Sequence, residues 1–218
     1  MNKILIFPLV FISLNCFSQD YLSVNYSLIY SNFIFTSSSG KLDKVITSKL
    51  NTGYAANYQF LYRNGFFIRG ELGYKEFGAL ATFNELKLMW DFNYLDANVG
   101  CGYIFNNYKF KPYVGISLYG SYLTNANLTI DGNYYNILQN DSTKIKNSDF
   151  GINGFLGVIF PLSDITSVYL EVNDAKGLSQ LDPKPNEKLY NTAFSVRLGV
   201  KFLLGKDLSK SKYDFMFK

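Results

Sequence analysis

The segment that decides the fold lies near the end of the chain, Asn191-Thr-Ala-Phe-Ser-Val-Arg-Leu-Gly-Val-Lys-Phe-Leu-Leu204. Side chains of a β-strand alternate between its two faces. One face of this segment is therefore wholly apolar, and the other carries Arg197 and Lys201 among small residues. Two closed sheets fit this pattern: a soluble barrel with the apolar face inside, and a barrel with lipid outside and polar residues inside.

The first residues of the chain have the composition of an export signal. Lys3 gives a positive start, residues 4–14 form an apolar run, and Cys16 and Ser18 are small residues suited to cleavage. The apolar run is too short to span a bilayer. We expect residues 1–18 to be removed as a signal peptide, with a cut after Gln19 as the alternative. Asn15 stands where a lipoprotein signal needs a small residue.

Composition favours strands and excludes several classes of function. The chain has 18 tyrosines, 20 phenylalanines and 17 glycines, which suits β-structure. It has no histidine, the commonest general base and metal ligand. A formal net charge of +4 is too small to indicate nucleic-acid binding. No cofactor or metal motif is present, and we expect neither a cofactor nor enzymatic activity.

Alternation predicts eight strands with connections of two kinds. The predicted strands are residues 21–35, 50–63, 66–76, 86–105, 109–123, 148–160, 165–174 and 191–204. The connections after strands 2, 4 and 6 are short, whereas those after strands 1, 3, 5 and 7 are long and polar. This is the plan of an all-β, eight-stranded antiparallel up-and-down transmembrane β-barrel. We predict it for residues 19–205, with residues 206–218 as a C-terminal periplasmic tail.

The fourth predicted strand changes its apolar parity. Apolar residues are even-numbered up to Tyr94 and odd-numbered from Leu95 onward. A β-bulge near Tyr94 and Leu95 would restore the phase. Alternatively, the residues before Tyr94 lie above the membrane and need not follow the lipid-facing pattern.

Several motifs together resemble a known family. They are Phe17-Ser-Gln-Asp20, Gly65-Phe-Phe-Ile-Arg-Gly-Glu-Leu-Gly-Tyr-Lys-Glu-Phe-Gly78, Lys111-Pro-Tyr-Val-Gly115 and the closing strand. The chain is similar to the small outer-membrane β-barrels of Bacteroidetes, which include PorT-like proteins and share the plan of OmpA/OmpX-like barrels. The resemblance implies an integral protein of the cell outer membrane, surrounded by outer-membrane lipid and inserted by the barrel-assembly machinery.

The closing strand also resembles the assembly signal of that family. In such signals a polar residue and a glycine precede two spaced hydrophobic residues, which here are Arg197, Gly199, Phe202 and Leu204. Many of these barrels end on a terminal aromatic residue, whereas this chain continues into the tail.

Eight charged residues are predicted to face the barrel interior: Arg63, Arg69, Glu71, Lys75, Asp96, Glu171, Arg197 and Lys201. Neighbouring strands would allow Glu171 to pair with Arg197 and Asp96 to pair with Arg69. Buried charges need such partners. An interior filled by paired charges has no open pore; the alternative is a path for protons or ions.

The long loop at residues 124–147 holds Tyr134, Tyr135 and Ile137 in polar surroundings. It either extends the two flanking strands as a hairpin or presents a surface to a partner. We therefore predict a monomeric barrel with a structural or binding role through its extracellular loops. The alternatives are an accessory subunit of a secretion or uptake complex, with an envelope protein as partner, and a secreted soluble ligand-binding barrel.

Overall fold

The computed structural model describes residues 18–36, 46–83, 85–105, 109–138, 145–181 and 188–204. Within these ranges the chain forms nine antiparallel strands. They are β1 (Ser18–Thr36), β2 (Ile46–Tyr62), β3 (Phe66–Phe83), β4 (Leu86–Ile104), β5 (Lys111–Ile130), β6 (Asn133–Asn136), β7 (Ser148–Pro161), β8 (Thr166–Gly177) and β9 (Lys188–Leu204). The described residues include no helix long and apolar enough to cross a membrane.

Eight of the nine strands form a closed barrel. Each pairs with the next along the chain, β5 pairs directly with β7, and β9 closes the ring on β1. The short strand β6 pairs only with the upper part of β5, as a hairpin outside the ring. The predicted eight-stranded up-and-down barrel is therefore confirmed, with one additional short strand.

The apolar faces of the strands point outward. On β9 the large apolar residues Phe194, Leu198 and Phe202 are exposed, whereas Ala193, Ser195 and Lys201 are buried. A soluble barrel would have the reverse arrangement. The polar interior and apolar exterior therefore exclude the soluble ligand-binding barrel that the sequence left open.

The outward apolar band gives way to polar residues toward the long-loop end of the strands. On seven strands its last apolar residue is followed on the outer face by a polar one: Asn32, Glu76, Asn93, Thr124, Ser148, Asp174 and Thr192. On β2 the band continues past Thr52 to Leu50, which pairs with Tyr30 of β1 and is 57% exposed. On β1 the band runs from Leu22 to Tyr30. About nine residues at ~3.3 Å each, tilted by ~40°, span ~23 Å, close to the ~25 Å apolar band of membrane barrels.

Aromatic pairs lie on the outer wall near the two edges of this band. Near the short-turn end they are Tyr62 with Phe66, Tyr103 with Phe105, and Phe110 with Phe160; nearer the long-loop end Tyr54 stacks on Tyr74. Aromatic side chains at both edges are typical of barrels that cross a membrane, where they lie at the interfaces.

The parity change in the fourth predicted strand is not a bulge in that strand. β3 and β4 pair without interruption from Phe66 and Tyr103 to Phe83 and Leu86. The only irregularity beside β4 lies in β5, where Thr124 is the additional residue. The even-numbered side chains of β4 point inward throughout, and above the band they become apolar. The second alternative, in which residues before Tyr94 lie above the membrane, fits this geometry.

The strands continue well beyond the apolar band. Residues 77–83, predicted to be part of a long loop, extend β3, so that only Asn84 and Glu85 connect it to β4. In this upper part the interior is apolar, with a buried cluster that we call the upper core. Its members are Ile29, Phe33, Phe77, Ala79, Phe92, Tyr94, Leu123, Ala126, Ile137 and Ala193. The interior thus changes from polar to apolar where the exterior changes from apolar to polar.

Ser31 repairs a break in the β2–β3 ladder. The register shifts between Ser48 and Gly53 of β2, leaving one residue more on β2 than on β3. The Ser31 hydroxyl donates to the Gly78 carbonyl oxygen at 2.8 Å and accepts from the Gly78 N–H at 2.7 Å. It also accepts from Asn51 Nδ2 at 2.7 Å. The hydroxyl therefore satisfies backbone groups that the bulge would leave unpaired.

Replacing Ser31 with alanine is expected to lower the free energy of unfolding by about 2–3 kcal/mol, because buried partners lose their hydrogen bonds. The measurement is urea unfolding of the protein refolded in detergent micelles. Ser27→Ala is the matched control, since the Ser27 hydroxyl is also buried but has only a 3.4 Å contact to Asn25. Equal losses for the two variants would contradict the role given to Ser31.

Candidate functional site

The barrel interior holds a group of charged side chains at the height of the apolar band. We call it the central network; its members are Arg69, Glu71 and Lys75 of β3, Asp96 of β4, Glu171 of β8 and Arg197 of β9. Each occupies an inward position of its strand, and each is buried or half-buried. Strand parity alone places six charges inside one narrow lumen.

Glu171 is the centre of the network. Its Oε2 accepts from Arg69 Nη1 at 2.5 Å and from the Tyr113 hydroxyl at 2.9 Å. Its Oε1 accepts from Arg69 Nη2 at 3.3 Å and from Arg197 Nη1 at 3.4 Å. Arg197 Nη1 also donates to Glu71 Oε2 at 2.9 Å. The Glu171 side chain is fully buried, and its charge is balanced by two guanidinium groups.

Asp96 forms a second branch of the same network. It pairs with Lys75 at 2.5 Å and accepts hydrogen bonds from Ser121 and Asn98. Asn98 also donates to Glu71 at 3.0 Å, which joins the two branches. The three cations and three anions of the network therefore compensate one another.

Two of the predicted interior assignments need correction. Asp96 does not pair with Arg69, because Asp96 lies opposite Gly73 and Arg69 lies opposite Gly100 in the β3–β4 register. Arg69 instead reaches across the lumen to Glu171. Arg63 is exposed beside the turn at Gly65, not in the interior. The pairing of Glu171 with Arg197, by contrast, is confirmed.

Lys201, the eighth predicted interior charge, lies between the central network and the short-turn end of the barrel. Its ammonium group donates to Gln59 Oε1 at 2.9 Å. It also lies 5.5, 5.9 and 5.6 Å from the ring centroids of Tyr21, Tyr113 and Tyr169. Such cation–π contacts compensate part of the cost of burying the charge.

Apolar side chains fill the lumen on both sides of the network. The upper core lies toward the long-loop end. Toward the short turns lies a second cluster, the lower cluster, formed by Phe67, Ile104, Tyr113, Phe155, Ile159 and Tyr169. The lower rings lie over glycines of neighbouring strands; for example, a side chain at Gly199 would come within 2.4 Å of the Tyr169 ring. The aromatic and glycine residues thus fit together to fill the lumen.

A small cavity adjoins the network. It has a volume of about 20 Å³, and the residues that line it include Ser27, Glu71, Lys75, Asp96 and Arg197. This is room for about one water molecule. The Arg197 Nε–H is buried and has no hydrogen-bond partner among the described residues. Among the described residues, no cluster of histidine, cysteine or carboxylate side chains could hold a metal ion.

Above the apolar band, the strands on one side of the barrel extend farther than those on the other side. Residues 77–83 of β3, 86–93 of β4, 125–130 of β5 and the whole of β6 form a sheet that we call the raised wall. On the opposite side β7 begins at Ser148, the boundary residue itself, and β8 ends at Gly177. Among the described residues, the strands β7 and β8 therefore end below the top of the raised wall.

The inner face of the raised wall is apolar except for Asn133 of β6. The register aligns its side chains in four rows: Phe77, Phe92, Ala126 and Ile137; then Ala79, Trp90, Leu128 and Tyr135; then Ala81, Leu88, Ile130 and Asn133; then Phe83 and Leu86. The first row belongs to the upper core. Exposure rises along the wall, reaching 62% for Phe83, 45% for Leu86 and 51% for Tyr135.

The three predicted loop residues belong to this wall or adjoin it, but they differ in burial and in the direction of their side chains. Ile137 is only 8% exposed and belongs to the upper core, so it is not available to a partner. Tyr135 lies on the inner face beside Leu128, and Tyr134 points outward beside Thr129. The sequence prediction missed Phe83, Leu86, Leu88 and Trp90, although the parity change in the fourth predicted strand was a signal for them.

The closing strand places its predicted assembly residues on both faces. Arg197 and Gly199 point inward, whereas Phe202 and Leu204 are exposed on the apolar exterior. Their role in assembly stays a prediction. The predicted tail at residues 206–218 and nearly all of the predicted signal peptide lie outside the described residues; Ser18 is the first residue of β1.

Comparisons with known proteins agree with this geometry. The sequence model of the family described as outer membrane protein beta-barrel domain matches residues 9–202. The crystal structure of OprG from Pseudomonas aeruginosa aligns with a TM-score of 0.54 at 11% identity, covering 86% of this chain and 96% of that one. Neisserial surface protein A aligns with a TM-score of 0.50 at 14% identity, covering 84% and 96%. No curated protein sequence matches the chain significantly.

Proposed function

The chain belongs to the outer membrane protein β-barrel domain family, and from that premise we propose that it is a closed, non-conducting barrel that binds a partner through the raised wall. Members of this family are integral to the outer membrane, so the long-loop end of the barrel faces the outside of the cell. The proposal assigns a binding role to the chain and no catalytic one.

The filling of the lumen supports closure. An eight-stranded barrel is just wide enough for its own side chains. Here the upper core and the lower cluster lie on either side of a network whose members are bonded to one another. An ion crossing this lumen would have to displace apolar side chains at both ends and break the Glu171 contacts between them.

The raised wall supports a binding role. It stands above the apolar band, and pairing among its four strand segments holds it in place as a continuation of the barrel. Its inner face leaves large apolar side chains exposed. Soluble surfaces rarely keep contiguous apolar area exposed, and such area commonly marks a binding site. The exposed inner face is the single observation that carries the proposal.

The route to the membrane is part of the same proposal. Residues 1–18 would serve as the signal peptide, and the closing-strand residues Arg197, Gly199, Phe202 and Leu204 would be recognised by the barrel-assembly machinery. We propose that the barrel acts as a monomer within the bilayer, with the raised wall as its contact to an envelope or extracellular protein.

Conductance across a planar lipid bilayer tests the closed state. The full mature chain, refolded and added to the bilayer, is expected to give no stepwise current increase, because the lumen is filled. A detergent-refolded porin serves as the positive control, and a heat-dependent shift in gel mobility verifies that the chain is folded. Regular conductance steps from the folded protein would contradict the proposal.

A further inference from the structure

The strand β6 has a backbone edge that none of the described strands uses. Within the described residues, β6 ends the sheet order and pairs only with β5. The β5–β6 hairpin turns through Asp131 and Gly132, both with positive φ, in a two-residue loop. In the described part of the chain, the edge of β6 that faces away from β5 is therefore unpaired, and an unpaired edge can accept another strand.

The hairpin register shows which backbone groups point to this open edge. In a two-residue hairpin the residues flanking the turn, Ile130 and Asn133, form a hydrogen-bonded pair, and such pairs alternate along the ladder. The bond from the Ile137 N–H to the Ala126 carbonyl oxygen, 2.9 Å long, fits this alternation. The N–H and C=O groups of Tyr134 and Asn136 therefore point away from β5.

The open edge adjoins the apolar inner face of the raised wall. Tyr135 is the last side chain of the row that includes Trp90 and Leu128, and it lies on β6 itself. A strand added to β6 would continue this row with its own inward side chains, while its alternate residues would face water beside Tyr134. An added strand would thus gain backbone hydrogen bonds and apolar contacts together.

We propose that the raised wall binds an extended polypeptide segment with alternating apolar residues, which pairs with the open edge of β6. This inference rests on the proposed binding role and adds the class of partner. An apolar small molecule would use the inner face but leave the backbone groups of Tyr134 and Asn136 to water. A polypeptide strand uses both features, because its own backbone has the matching spacing.

The fluorescence of Trp90 can report the binding of a peptide to the raised wall. Trp90 is the single tryptophan of the chain and lies partly exposed on the inner face, two strands from β6. The probe is a synthetic ten-residue peptide that alternates valine with threonine, carries a lysine at each end and lacks aromatic residues. Binding to the folded full-length mature chain in detergent is followed through Trp90 fluorescence and checked by calorimetry.

Two substitutions at one position separate edge pairing from side-chain contact. Tyr134→Pro and Tyr134→Thr both remove the outward ring, but only proline removes the N–H that points to the open edge. Neither substitution removes a bond to β5, and Pro is tolerated on edge strands. We expect Tyr134→Thr to bind the peptide nearly as well as the parent and Tyr134→Pro to bind it about tenfold more weakly.

A modified peptide keeps the test independent of the hairpin variants. N-methylation at alternate residues blocks the peptide edge that pairs with β6, and binding to the unchanged protein should fall at least about tenfold. Asn136→Pro is a second protein variant with the same expected loss. Gel mobility, unheated against boiled, verifies that each variant is folded.

Several outcomes would overturn the inference. Equal peptide affinity for Tyr134→Pro and Tyr134→Thr, or no effect of N-methylation, would show that the edge is not used. Absence of peptide binding would overturn the partner class while leaving the closed barrel to the conductance test. Self-association that Tyr134→Pro abolishes would identify a second copy of this chain as the occupant and overturn the peptide proposal.

Discussion

Glu171→Ala is expected to lower the free energy of unfolding by about 3–5 kcal/mol, because it leaves the buried Arg69 guanidinium without its ion-pair partner. The Glu171 carboxylate is bonded by Arg69 at 2.5 Å and by the Tyr113 hydroxyl at 2.9 Å, and it lies 3.4 Å from Arg197. Arg69 has no other carboxylate in contact among the described residues. Its guanidinium lies 4.0 Å from the Phe155 ring, so it cannot move to water without displacing the lower cluster.

The measurement is reversible urea unfolding in lipid vesicles or micelles. Asp174→Asn is the matched control, since Asp174 lies on the same strand but points outward above the apolar band and is exposed. The control is expected to change stability by less than about 0.5 kcal/mol. A loss below about 1 kcal/mol for Glu171→Ala would contradict the view that the network stabilises the barrel.

Leu198→Arg is expected to destabilise the membrane-inserted barrel by about 2–4 kcal/mol, the cost of a cation at the centre of the lipid-facing wall. Leu198 is 58% exposed and lies between Tyr26 of β1 and Leu170 of β8 on the outer face. The same substitution on an aqueous surface would have almost no cost. Its effect therefore depends on lipid rather than on packing within the protein.

Thr82→Arg supplies the comparison for this prediction. Thr82 also points outward, on the part of β3 above the apolar band, and is exposed. Unfolding in vesicles is expected to show almost no change for Thr82→Arg. If the two arginine variants were equally stable, lipid would not surround Leu198, and the outward apolar band would need another explanation.

Within the apolar band, strand alternation predicted which charged residues face the lumen, but it also placed Arg63 there, which is exposed beside the turn. The pattern on β9 placed Arg197 and Lys201 inside, and neighbouring strands brought Glu171 beside Arg197. Alternation gives the face of a residue but not its register, so Asp96 could not be assigned to the right cation. The contact between Arg69 and Glu171 joins β3 and β8, which are not neighbours, and only the closed three-dimensional barrel brings them together.

The alternation rule that predicted the barrel did not predict the raised wall. Within the membrane the apolar side chains mark the outer face, whereas above it they mark the inner one. Phe92 and Tyr94 therefore looked out of phase with Leu95, and residues 77–83 looked like a loop, although β3 and β4 continue without a break. The strand β6 is too short for alternation to be recognised, and its position follows from pairing with β5.

The polarity of the outer wall inverts between the apolar band and the strand segments above it, and spin-label accessibility tests this inversion most directly. In a mature Cys101→Ser background, single labels are placed at Val172 and Leu198 in the apolar band and at Lys176 and Thr192 above it. In lipid vesicles we expect the first two to be relaxed mainly by lipid-soluble oxygen and the last two mainly by a water-soluble nickel complex. Relaxation by the nickel complex at all four positions would mean that water surrounds the whole barrel, and the account would be wrong.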